Sequence, residues 1–219
     1  MNGQPDWSDL DRKLVAILRG LPPGDAEAVV TGLIRAGFRA IEVPLNSPEP
    51  FKSIEIALAL AEELAPGECL IGAGTVLNPD DAERVAGIGG GLVVSPNTDR
   101  EVILAARAAG LVAMPGVFTP TEALQAVAAG ASVLKFFPAY LLGPGGIRAI
   151  AAVLPPDTPF CAVGGVDMAD IGGYYAVAGV GLGSSLYKPG DAPSDVADRA
   201  RKAVAAFDAA RRKAQGVPA

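Results

Sequence analysis

Three ionisable side chains interrupt apolar runs that would otherwise be continuous. Arg19 closes the run LVAILRG (14–20), Glu42 stands inside AIEVPL (40–45), and Lys135 stands inside VLKFFP (133–138). A charge carried into such a run is costly unless it is paired or neutralised. For a lysine, desolvation disfavours the ammonium form and yields a free amine at working pH. A free amine attacks carbonyl carbon and forms a Schiff base, whose protonated imine is an electron sink for a carbanion on the adjacent carbon. Glu42 is then the candidate proton shuttle, because the chain contains no histidine, the usual base near neutral pH. Arg19 can clamp a substrate carboxylate or orient Glu42. Thr75, at the end of CLIGAGTV (69–76), can donate to the same carboxylate or serve only as a β-branched strand residue. The competing reading of the three charges is a buried network that fixes strand register. Buried ion pairs stabilise weakly, so that reading leaves their presence without a sufficient reason.

Positioning these residues requires a regular scaffold, and the pattern supplies one. Eight short apolar runs (14–20, 40–45, 69–76, 92–97, 112–117, 133–138, 160–166 and 179–185) alternate with longer, Ala-rich, helix-periodic stretches. Continuous apolar runs of this length read as parallel strands buried on both faces. TDREVILAARAAG and TPTEALQAVAAG each carry a Thr start, an early Glu and a Gly stop, which are helix punctuation signals. Eight strand–helix units in 219 residues predict an α/β fold, a single (β/α)8 TIM barrel. A doubly wound sheet is the alternative. No linker or low-complexity tract divides the chain, so one domain is expected over 1–219. It comprises an N-terminal extension with an additional helix (1–13), a barrel core (14–188), a final helix (189–214) and a frayed tail (215–219).

In a barrel, chemistry gathers at the C-terminal ends of the strands. There, GGV (164–166) and GLGSS (181–185) expose backbone N–H groups from Gly164, Gly165 and Gly183, with hydroxyls on Ser184 and Ser185. That corner suits a phosphate. Tyr187 and Lys188 lie just beyond it with no assigned role, and Tyr174 and Tyr175 read as helix packing. The net charge of −6 and thinly spread basic residues argue against nucleic acid as a partner. Cys69 and Cys161 are read as buried thiols. No run is long enough for a membrane span. The polar, acidic start does not read as a secretory signal, so a cytoplasmic protein without a membrane partner is expected. Without histidine and with isolated cysteines, no metal site is expected. A phosphosugar epimerase or isomerase and a non-catalytic phosphosugar sensor remain as rivals at this level.

In order along the chain, AILRG, IEVPLNSP, GAGTVL, VSPN, MPGVFTPTEA, LKFFPA, AVGGV and GLGSSLY resemble the class I aldolases that cleave 2-keto-3-deoxy-6-phospho sugar acids. The resemblance runs from about Leu14 to Lys188. It implies a (β/α)8 barrel, a homotrimer, and no metal or other cofactor beyond a covalent imine through Lys135. It implies a phosphorylated keto-deoxy sugar acid as substrate, with pyruvate and glyceraldehyde 3-phosphate as products. By the resemblance, Lys135 is the Schiff-base lysine and Glu42 the acid/base acting through water. Arg19 and Thr75 fall where the family holds the glutamate and the pyruvate carboxylate, and Pro115 and Phe137 would pack around the pyruvyl unit. Gly164, Gly165, Gly183 and Ser184 fall at the phosphate site. Gluconate-type members commonly have Arg and Thr where this chain has Asn46 and Val163, so a galactonate-type substrate is expected. A gluconate-type or dual specificity is the alternative, since Val163 cannot hydrogen-bond a substrate hydroxyl.

Overall fold

The computed structural model describes residues 3–216. Nine parallel strands form one sheet: β1 (Leu14–Ile17), β2 (Ala40–Pro44), β3 (Leu70–Gly74), β4 (Leu92–Val94), β5 (Val112–Met114), β6 (Gly116–Val117), β7 (Leu134–Phe136), β8 (Phe160–Val163) and β9 (Gly179–Leu182). Their spatial order is β5-β4-β3-β2-β1-β9-β8-β7-β6. β5 and β6 are consecutive in the chain and separated only by Pro115, so they are two halves of one stave. The sheet therefore wraps into an eight-staved barrel, as expected. Pro115 has no N–H to give to the ladder. On one side of it β5 pairs with β4, and on the other Gly116 registers with Lys135 of β7.

Helices alternate with the strands: α1 (Pro23–Ala36), α2 (Pro50–Leu64), α3 (Pro79–Gly87), α4 (Arg100–Ala108), α5 (Pro120–Ala128), α6 (Ala139–Ala151), α7 (Ile171–Tyr175) and α8 (Pro193–Ala214). The punctuation signals have structural counterparts. Thr119 and Glu122 form a reciprocal capping box at the start of α5. At α4 the cap is Asp99 rather than the expected Thr98. The Asp99 carboxylate accepts from Glu101 and Val102 N–H, while Thr98 Oγ1 donates to the Gly116 carbonyl at 2.8 Å and ties the loop to β6. Tyr174 and Tyr175 pack as expected. Tyr174 donates its hydroxyl to the Ala139 carbonyl, and Tyr175 meets Phe207 of α8 edge-on at 4.9 Å.

The additional N-terminal helix is replaced, among the described residues, by a single 3-10 turn, Trp7–Asp9. The reason is local. Trp7 and Leu10 are drawn into the bottom of the barrel, 4% and 5% exposed, against Val15, Val112, Val133 and Cys161. Lys13 then takes up the carbonyls of Trp7, Ser8 and Leu10, acceptors that further helical turns would have used. Of the expected frayed tail, residues 217–219 lie outside the described residues.

Two apolar layers surround the strands. One lies between sheet and helices and contains Ile41, Val43, Leu134 and Phe136. The other fills the barrel interior and contains Val15, Ile17, Val94, Met114, Cys161 and Val163. Side chains alternate across a strand. Glu42 lies between Ile41 and Val43, and Lys135 between Leu134 and Phe136, so both project into the interior.

Candidate active site

At the C-terminal end of the barrel, a cleft of about 160 Å³ is lined by Arg19, Glu42, Lys135, Phe137, Val163, Gly164, Gly165, Gly183 and Ser184, together with Ile17, Val166, Asp167, Gly181 and Ser185. Nine of the eleven expected site residues thus share one cleft. Thr75 and Pro115 are the exceptions and do not form its wall. Pro115 is buried behind it, and its carbonyl accepts from the Lys135 N–H at 2.9 Å. Thr75 directly follows β3 with φ of 54°, a left-handed conformation unfavourable for a β-branched residue. Its neighbours hold it there. Val76 donates to the Val94 carbonyl, and the buried Ser95 hydroxyl donates to the Val76 carbonyl at 2.8 Å. Such strain persists only where the surroundings over-determine it, typically beside functional groups.

Glu42 is 2% exposed, and its Oε2 has no hydrogen-bond partner among the described residues. Burial pushes its carboxyl up to about 7, against the opposing pull of the Lys135 and Arg19 charges. The space it occupies is made by Gly74, which sequence reasoning missed. A Cβ at Gly74 would fall 1.4 Å from Glu42 Oε2. Glycine is required there because the carboxylate lies where a side chain would begin.

Lys135 is 5% exposed, and burial is the main force holding its pKa below the ordinary value. The Glu42 charge opposes that shift and the Arg19 charge reinforces it. Its Nζ lies 4.8 Å from the centroid of the Phe137 ring, and it forms no ion pair among the described residues. Cys161 is the register partner of Lys135 on β8. Burial pushes its thiol up to about 12, so it is a neutral neighbour. The pair Glu42 and Lys135 is thus a carboxyl raised towards neutrality and an amine lowered towards it, an environment that suits acid/base and nucleophilic work.

The opposite wall is shaped for close approach. Gly164 and Gly165 have φ of 91° and 66°, and a Cβ on them would meet the Phe137 and Tyr140 rings at 3.0 and 2.7 Å. The N–H groups of Gly165, Val166, Ser184 and Ser185 have no partner among the described residues and are free for a ligand. The Ser185 hydroxyl, in contrast, is committed to the Val166 carbonyl. Arg19 stands at the mouth, its Nη1 donating to Asn46 Oδ1 at 2.8 Å. Among the described residues, no three His, Cys, Asp or Glu side chains group so as to hold a metal ion. Among the described residues, no helix is long and apolar enough to cross a membrane.

A parallel barrel that holds a desolvated lysine, an unpartnered carboxyl and a glycine-lined corner with free N–H groups at the C-terminal ends of its strands is the setting of an enzyme. The profile of the KDPG and KHG aldolase family matches residues 10–196, and the chain belongs to that family. It is 58% identical to the probable 2-dehydro-3-deoxy-6-phosphogalactonate aldolase of Rhizobium meliloti (strain 1021) over 202 residues, covering 91% of this chain and 93% of that one. It is 43% identical to the 2-dehydro-3-deoxy-6-phosphogalactonate aldolase of Escherichia coli (strain K12) over 196 residues, 89% and 94% of the two chains. A solved structure of native KDPGal aligns with a TM-score of 0.86 at 42% identity, covering 91% and 96%.

Proposed function

We propose that this aldolase cleaves 2-dehydro-3-deoxy-6-phosphogalactonate to pyruvate and D-glyceraldehyde 3-phosphate through an imine on Lys135. The observation that carries the reading is the shared burial of Lys135 and Glu42 in one cleft whose far wall offers unpaired N–H groups. The Lys135 amine adds to the C2 ketone, and the carbinolamine hydroxyl leaves as water with a proton taken up from solvent, giving the protonated imine. Glu42, relayed by water, takes the proton of the C4 hydroxyl. The C3–C4 electron pair then moves into the imine, forming an enamine and releasing the aldehyde. Glu42 returns its proton to C3, and water hydrolyses the imine to free pyruvate and Lys135. Arg19, with Thr75 beside Gly74, serves the substrate carboxylate, and Phe137 and Pro115 pack around the pyruvyl unit. Gly164, Gly165, Gly183 and Ser184 hold the phosphate. The chemistry uses no metal or separate cofactor.

The names of the relatives support the galactonate-type epimer, and so does Val163, which presents only methyl groups to the cleft. An apolar wall discriminates weakly against a displaced hydroxyl, which supports some activity on the gluconate-type epimer as a second reading. We also propose a cytoplasmic homotrimer. The free thiols Cys69 and Cys161 suit a reducing compartment. Tyr140, Leu141 and Val153, each more than half exposed, offer apolar area for a subunit contact, while the number three rests on the family resemblance.

The test is sodium borohydride reduction in the presence of pyruvate, followed by peptide mapping. A stable pyruvyl adduct on Lys135 is expected, and its absence from folded protein overturns the reading. A Gly74→Ala variant probes the same site. The added methyl displaces the Glu42 carboxylate, so turnover falls by about a hundred-fold, on the scale of lost general acid–base catalysis, while the adduct still forms. Unchanged turnover would show that the Glu42 position is immaterial.

A further inference from the structure

We propose that Asn46 is a positioning residue that holds the Arg19 guanidinium at the cleft mouth, ready for the substrate carboxylate. The inference rests on the Schiff-base reading of the site.

Arg19 is long, exposed and unpaired with any carboxylate among the described residues. A free arginine of this kind loses much rotamer freedom when it binds an anion. Its backbone is fixed on both sides. Leu18 N–H donates to the Glu42 carbonyl at 3.0 Å, and Gly20 N–H donates to the hydroxyl of the buried Ser47 at 2.8 Å. What remains is the side chain, and among the described residues the one group that holds it is Asn46 Oδ1 at 2.8 Å. Asn46 and Ser47 are consecutive, so the loop after β2 braces the loop after β1 twice, once by the main chain of Gly20 and once by the head group of Arg19.

The amide is suited to this task. It is a neutral acceptor, so it orients the guanidinium without cancelling its charge and leaves its other donors free. An aspartate would form an ion pair and compete with the substrate carboxylate. An arginine would repel Arg19. The charge so placed also acts inside the cleft, where it favours the ionised form of Glu42 and disfavours the ammonium form of Lys135.

The test measures borohydride trapping of pyruvate on Lys135 as a function of pyruvate concentration. In Asn46→Ala the half-saturating concentration is expected to rise about five-fold, the scale of one lost hydrogen bond, with the same maximum labelling. Asn46→Asp is expected to raise it further, and Asn46→Gln to recover part of the loss. In an Arg19→Met background, Asn46→Ala should add nothing, because the group it positions is gone. Unchanged half-saturation in Asn46→Ala, or a full additional effect in the Arg19→Met background, overturns the role of Asn46 and leaves the aldolase reading intact. No trapping in the wild-type protein overturns both.

Discussion

Lys135→Met is expected to abolish borohydride trapping and lower the cleavage rate by about a thousand-fold or more, while raising the thermal midpoint. The first part follows from covalent catalysis: methionine has no nucleophile, and among the described residues Lys135 is the one lysine buried in the fold. The second follows from solvation. Methionine matches the lysine stem in length and carries no charge, so it fills the same space beside Cys161 and Phe137 without the cost of desolvating an amine. Replacing buried charge with well-packed apolar atoms stabilises by about 1 to 4 kcal/mol in favourable cases. In a chain of this size each kcal/mol is worth about 2 to 4 °C.

The variant also predicts a titration. Lys135 opposes the upward push of burial on Glu42, so its removal should move the Glu42 carboxyl above about 7. Lys135→Arg separates the two effects. It keeps a charge and loses the nucleophile, so trapping vanishes with no gain in stability. Calorimetry and adduct mapping read both. A Lys135→Met protein less stable than wild type would show that Lys135 is held for structure, and an adduct surviving in either variant would place the nucleophile elsewhere.

Much of this arrangement is legible in the sequence because it follows from period-two alternation. Once VLKFFP and AIEVPL are read as strands, Lys135 and Glu42 must face the same side as neither of their flanking residues, and that side is the barrel interior. What the sequence hides is what depends on a neighbour distant in the chain. Gly74 in GAGTV looks like any strand glycine, and its meaning comes from the Glu42 carboxylate one strand away. Asn46 is legible in the sequence as the galactonate-type residue after β2, but its hydrogen bond to Arg19, 27 positions earlier, is not. VAMPGV reads as a single strand, yet the missing N–H of Pro115 divides it into two segments that pair with different neighbours. The strand-end position of Thr75 and the family resemblance at Pro115 place both residues at the substrate. The cleft wall does not include either residue: Thr75 sits in a left-handed turn after β3, and Pro115 is buried with its carbonyl taken by the Lys135 N–H.

Glu42→Gln is expected to keep the Lys135 adduct and lose turnover by about 10²- to 10⁴-fold, the usual contribution of a positioned acid/base. Glutamine retains the size and the carbonyl acceptor and cannot take or return a proton. In the wild-type protein the base form is needed, so kcat/KM should rise as pH increases through about 7, and that inflection should disappear in the variant. Stability provides an independent reading with a definite sign. The folded protein holds Glu42 at about 7, above the ordinary 4.5, so the folded state binds the proton more tightly than the unfolded chain does. The cost of ionising the buried carboxyl is therefore absent below pH 4.5, grows between 4.5 and 7, and is complete above 7. It amounts to about 3 kcal/mol. Glutamine has no such cost, so the variant should gain on wild type as pH rises across that window, whatever its stability at low pH. Denaturant unfolding at pH 4.5 and pH 8 measures the difference. If the gain does not grow with pH, Glu42 is ionised as readily in the fold as in water, and its burial is not what prepares it to move a proton. If turnover is retained as well, the shuttle is a different group.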